Sequence, residues 1–113
     1  MIPFGHDTVT LYHKTAGGYE RHLLTGCSWR ERALHTFYDG SQTRQTEISV
    51  RWTCDQQKPA PGDVLIHGLA YNTITSAVQI APLIEAYAAS GAFLCTSVSD
   101  NGGVPLPHYC ARG

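Results

Sequence analysis

Thr46, Ile48, Val50, Trp52 and Cys54 occupy one side of a two-residue alternation, and Glu47, Ser49, Arg51 and Thr53 the other. Successive side chains of an extended chain point to opposite faces, so this pattern marks a strand with one face in a core and one in water. No other segment constrains the fold as firmly. A chain that contains such a strand must supply further strands to pair with it, and the remaining sequence is read for them.

Val9, Leu11 and His13 alternate with Thr8, Thr10 and Tyr12, Gly17-Gly18 follows, and an extended run resumes from Tyr19 to Cys27. Two such runs around a Gly-Gly pair predict a β-hairpin with its tip near Ala16 to Gly18, and Gly26 suits a bulge where the second strand bends. Ala33, His35 and Phe37 alternate weakly before the turn signal Asp39-Gly40-Ser41, which predicts a short strand leading into a polar loop. Val64-Leu65-Ile66, short and rich in branched side chains, predicts a buried strand. Ile80, Leu83, Ile84 and Tyr87 share a helical face, Pro82 suits the first turn and Gly91 the position past the end, so one short helix is expected over Pro82 to Ala89. Phe93 to Val98 is expected as one strand, Ser99 to Gly103 as a turn or loop, and His108 to Ala111 as a terminal strand. The fold class is therefore mainly β, a small β-barrel or sandwich with one short α-helix, in a single domain over residues 1–113.

The 113 residues can bury one modest core, roughly two thirds of the surface that the unfolded chain exposes. An apolar fraction of 42% with 15% charged residues is that of a globular chain. So low a charge suggests that part of the surface is covered by another subunit. The formal net charge is −1, and Arg30, Glu31 and Arg32 form a mixed cluster rather than a basic stripe, which speaks against binding a nucleic-acid backbone. No apolar stretch reaches the ~18 residues needed to span a bilayer. Residues Met1 to His13 lack the basic region and apolar run of a secretory leader, so cytosolic synthesis is expected. In that compartment Cys27, Cys54, Cys95 and Cys110, widely spaced and without a CxxC pair, are expected to be reduced and structural.

Chemistry-bearing patterns are sparse. The six histidines form neither HxH nor HxxxH; His13 and His22 can face each other across the first hairpin, but zinc needs three or four ligands. No nucleophile-bearing Gly-x-Ser-x-Gly turn occurs, and the acidic residues Glu20, Glu31, Glu47 and Glu85 lie in unrelated segments. The glycine pairs are too short to cradle a phosphate. The expectation is a non-enzyme without catalytic, cofactor-binding or metal residues.

Three stretches in order carry a resemblance. Asp7-Thr8-Val9-Thr10-Leu11-Tyr12 opens a hairpin that closes into Gly26-Cys27-Ser28-Trp29. Pro61-Gly62-Asp63-Val64-Leu65-Ile66-His67-Gly68 follows at mid-chain. Ala92 to Asn101 then leads to Leu106-Pro107-His108-Tyr109-Cys110. Together these resemble small structural proteins of tailed phages and prophages, grouped with minor capsid and head–tail connector components. The resemblance implies a virion part, assembled in the host bacterial cytoplasm, that forms a ring with copies of itself. Its further partners would be portal or adaptor and tail proteins, with no membrane and no specific nucleic acid. Stopper, tail terminator and minor capsid roles all remain open. A projecting loop over Leu34 to Arg44 and the late helix accompany the barrel, and Trp29, Arg30, Phe37, Tyr38 and Arg44 are the candidate interface. The alternative is a small nucleic-acid- or protein-binding β-barrel module of a phage or prophage. Gathering of Arg21, Arg44, Arg51 and Arg112 on one folded face would favour it.

Overall fold

The computed structural model describes the backbone of residues 5–38, 41–101 and 107–113, and the side chains of 5–32, 46–100 and 107–113. The strands are β1 (Asp7–Thr15), β2 (Gly18–Tyr38), β3 (Ser41–Thr53), β4 (Val64–His67), β5 (Ala92–Leu94), β6 (Ser97–Asn101) and β7 (His108–Arg112). Between β4 and β5 lie a single 3-10 turn (Ala77–Gln79) and the helix α1 (Ile80–Ala86). Among the described residues the strands form one antiparallel sheet in the order β5-β4-β1-β2-β3-β7-β6. The chain is mainly β with one short helix, and the sheet curls into a half-barrel.

The curl has an identifiable cause. β5 and β6 stand at opposite ends of the strand order, yet only Cys95 and Thr96 separate them in the chain. In a flat sheet, six spacings of ~4.8 Å would hold the end strands about 29 Å apart, whereas three peptide steps reach at most about 11 Å. The ends must therefore meet. Cys95 N–H donates to Asp63 O (2.7 Å) on the β4 side, and Thr96 N–H donates to Arg112 O (2.8 Å) on the β7 side. This corrects the expectation of a single strand over Phe93 to Val98, which is two strands meeting at a corner. Ser99, Asp100 and Asn101, expected in a loop, belong to β6, while Gly102 and Gly103 lie outside the described residues.

The first hairpin forms as expected, with Thr15 paired to Gly18 across Ala16-Gly17. The register then steps from Val9↔Leu24 to Asp7↔Cys27, so β2 carries one extra residue at Thr25-Gly26. Gly26 takes φ 64°, the left-handed conformation that a bulge of this kind demands. The bulge resets the alternation, and Leu24 and Cys27 both face inward although three residues apart. Inside the half-barrel they meet Val9, Leu11, Val50, Trp52, Leu65 and Phe93, with Trp29, Ile48, Val98 and Tyr109 packed around them.

A second layer covers the outer side of β1 and β4. Tyr12, Val64 and Ile66 pack there against Ala70, Ile74 and Leu83, with Ile80, Ile84 and Tyr87 of the helical face at the margin. Residues 9–12 of β1 and 64–66 of β4 are consequently buried on both faces. Thr10 Oγ1 donates to Gly68 O (2.7 Å) and accepts Ala70 N–H (3.0 Å), and Tyr12 OH donates to Asn72 O (2.8 Å), which ties the crossing segment to the sheet. The helix starts two residues before the expected Pro82 and ends at Ala86 rather than Ala89. Gln79 Oε1 accepts Ser76 N–H (3.2 Å) in a capping box at the start of the 3-10 turn that leads into the helix, and Tyr87 leaves helical geometry at φ −106° where its hydroxyl reaches Asn72 Oδ1 (2.6 Å).

The loop expected over Leu34 to Arg44 is instead paired backbone. Leu34 stands opposite Gln45, His35 opposite Arg44, and the ladder continues to Tyr38↔Ser41; Asp39 and Gly40 of the turn signal lie outside the described residues. Asp63, fully buried, fixes the approach to β4. Its Oδ1 accepts Lys14 N–H (2.9 Å), and its Oδ2 accepts Ala60 N–H (2.9 Å) and lies 2.9 Å from His13 Nδ1. Asp63→Ala strands two half-buried backbone donors and an imidazole, and the expected cost is about 2–4 kcal/mol of unfolding free energy. Urea denaturation monitored by tryptophan fluorescence measures it.

Candidate functional site

Two carboxylate–imidazole bridges bracket the short β1–β4 ladder. His13 of β1 meets Asp63 at one end, and at the other Asp7 Oδ1 of β1 lies 2.9 Å from His67 Nε2 of β4. Asp7 Oδ2 also accepts Trp29 N–H (3.1 Å). The His67 hydrogen bond is the largest influence on Asp7 and holds its carboxyl below the usual carboxylate range, against a smaller opposing effect of burial. The Trp29 indole stacks on the His67 ring at 4.7 Å between centroids and 8° between planes, and meets Phe93 edge-on at 5.5 Å. Behind them, a Cβ on Gly91 would come within 2.9 Å of Trp29 Cζ2. Trp29 is thus half-buried in a wall of rings.

The other candidate interface residues are dispersed. Arg30 is exposed on β2, while Phe37, Tyr38 and Arg44 sit far along the β2–β3 hairpin, paired with Gln42, Ser41 and His35. The rings of His13 and His22 come to 6.4 Å, edge to face, as the first hairpin suggested. Among the described residues no group of three or more His, Cys, Asp or Glu side chains is arranged to hold a metal. The four cysteines are unpaired, and Cys27, Cys95 and Cys110 are at most 1% exposed. Burial pushes the Cys27 thiol up to about 12 and that of Cys95 to about 11, so neither supplies a thiolate near neutral pH. An open groove of about 290 Å³ runs between Asn72, Thr73 and Ile74 and the helix, at the lower limit for a small-molecule site.

Two features were missed by the sequence reading. The first is a ribbon. β1 pairs with β2 only as far as Cys27, and β7 leaves β3 near Ile48, where Gly113 exchanges two backbone hydrogen bonds of 3.0 Å with it. From Arg32↔Glu47 to Tyr38↔Ser41, seven register pairs have only each other among the described residues, a ribbon of roughly 23 Å. The second is a charged face. Trp29, Val50, Trp52, Ala111 and Val98 face the core, so alternation turns Arg30, Arg32, Arg51 and Arg112 to the outer side of the sheet. Arg21, opposite Tyr12, is also on the outer side but lies far along β2 under the crossing segment, where it donates to Ala70 O and lies 5.1 Å over the Tyr71 ring. Arg44 stands out on the ribbon. The gathering of Arg21, Arg44, Arg51 and Arg112 does not occur, and a different set of four shares a face. Alternation alone placed Arg51 outward; the strand register was needed for the rest.

The chain significantly matches no family model, no curated protein and no solved structure.

Two pH limits follow from the site. Asp7 has a folded pKa below its unfolded one, so its contribution is complete above about pH 4 and is lost as pH falls through the folded value. Asp7→Asn should be less stable than the parent at neutral pH, with the gap closing in acid titrations of the urea midpoint. Cys27 and Cys95 have raised folded values, so the unfolded state alone ionises from about pH 9, and stability should decline from there toward pH 11–12. In native buffer a thiol reagent should modify Cys54 alone, and all four cysteines in denaturant.

Proposed function

We propose that the chain is an assembly subunit of a tailed-phage or prophage particle, a connector-type protein of the neck or minor capsid. It joins copies of itself into a ring and contacts portal or adaptor and tail proteins. The observation that supports this reading is the β2–β3 ribbon. An isolated two-stranded ribbon is marginal in water, and open strand edges are templates for pairing with another chain.

Among the described residues neither edge of this ribbon has a partner strand. Trp29 N–H turns away from β3 toward Asp7, and Ile48 turns away from β2 toward Gly113. Hydrogen-bonded and non-hydrogen-bonded pairs alternate in an antiparallel ladder. Glu31, Ala33, His35 and Phe37 therefore turn their backbone groups outward on one edge, and Thr46, Arg44 and Gln42 on the other. Free-standing proteins protect such edges with charged side chains, Lys above all, with Pro or with a bulge. Residues 28–53 contain neither Lys nor Pro. Edges left open in this way suit a subunit whose neighbour supplies the third strand.

His35→Pro and Arg44→Pro each remove one outward donor and leave the inward ladder bonds intact. The expected outcome, read by light scattering and circular dichroism, is loss of self-association with the β spectrum retained. The chain should also co-sediment with particles released on induction of the prophage that carries it. A chain that stays monomeric and fails to bind purified portal overturns the reading.

A further inference from the structure

We infer that the outer face of β2, β3, β7 and β6 binds the phosphate backbone of a nucleic acid, without reading its sequence. The carrying observation is the register. Ser28 stands beside Arg51 and Arg51 beside Cys110, while Arg30 stands beside Ser49 and Ser49 beside Arg112. With strands ~4.8 Å apart, Arg30 and Arg112 lie about 10 Å from each other at Cα, with Arg51 diagonal to both. Arg32 extends the row along β2. Arg30, Arg32 and Arg51 are exposed, and Arg112 is half-buried with its Nη1 donating to Ser99 Oγ at 3.1 Å.

The charge is lopsided. Four arginines against Glu47 give this face a formal +3, which a chain of net −1 offsets with −4 elsewhere. The near-neutral total therefore conceals a local field of the sign that attracts polyanions.

The rest of the face favours nucleic acid over an acidic protein. Apart from the buried Cys110, its described positions are Arg, Ser, Thr, Glu and His. A protein–protein contact is built around a core of aromatic and aliphatic anchors, and this face offers none. Guanidinium groups interleaved with short hydroxyls are the donors that meet phosphate oxygens. Among its described positions no Phe, Tyr or Trp stands ready to stack on bases, so the contact is to the backbone and carries no base preference. The inference rests on the arginine face and is independent of the assembly reading.

Fluorescence anisotropy tests it with three labelled probes of one mixed sequence: a DNA duplex, its single strand and the matching RNA. The expected affinity is that of non-specific binding, ~10⁻⁴–10⁻⁶ M, falling with salt at a log–log slope of about −3 for the duplex. Whichever probes bind should do so without dependence on sequence. Arg30→Ser with Arg51→Ser, both at exposed positions, should weaken binding about tenfold or more at low salt and make the slope shallower by about 2. Lys14→Ser, the loss of one positive charge at an exposed site elsewhere, should change neither. Binding to polyglutamate but to none of the three probes overturns the inference, as does an arginine double variant that is folded and binds like the parent. These outcomes involve neither portal nor oligomeric state, so they separate this inference from the connector reading.

Discussion

A backbone buried on both sides must find all its hydrogen-bond partners within the protein, and β1 is where that requirement is strictest. Its residues 9–12 are closed off by the barrel interior on one face and by the helix layer on the other. β2 and β4 satisfy its two edges, and the Thr10 hydroxyl serves the segment that crosses over it. The β1–β4 ladder is only four pairs long. Asp7–His67 closes one end of it, at the Val9–His67 pair, and His13–Asp63 closes the other, just before β4 begins. These carboxylates also accept backbone N–H groups from Trp29, Lys14 and Ala60, so each holds a chain entry as well as an imidazole. Both layers of the fold are anchored through this one clamp.

The segments that were legible in the sequence are those that bury a side-chain pattern. Val50 and Trp52 alternate because one face of β3 meets the core, and 64–66 are continuously apolar because β4 is covered twice. The ribbon escaped for the converse reason. Period-two hydrophobicity reports burial rather than extended geometry, and a strand that leaves the core has no reason to alternate. The Asp39-Gly40 signal was visible, but its flanks carry only a weak hydrophobic alternation and read as loop. The corner at Cys95-Thr96 did leave a trace. Phe93 and Cys95 face inward at odd positions and Val98 at an even one, a change of parity within a run that reads as one strand.

Of the candidate interface, Phe37, Tyr38 and Arg44 lie on the β2–β3 ribbon and Arg30 is exposed on β2, whereas Trp29 packs against His67 and Phe93. The arginine face lay beyond reach for a different physical reason. Its members come from positions 30, 32, 51 and 112, and their proximity depends on cross-strand register, which no local pattern encodes. Net charge does not report such a face, since a near-neutral sum is compatible with strong separation of sign.

The two-residue corner also bears on how the protein comes apart. Peeling an end strand is ordinarily the easiest local opening of a sheet, but here the first and last strands are contiguous covalently. Detaching one drags the other. The barrel body should accordingly behave as a single foldon, its amide protons exchanging only through global opening, while the ribbon outside that loop of connectivity frays on its own and exchanges first.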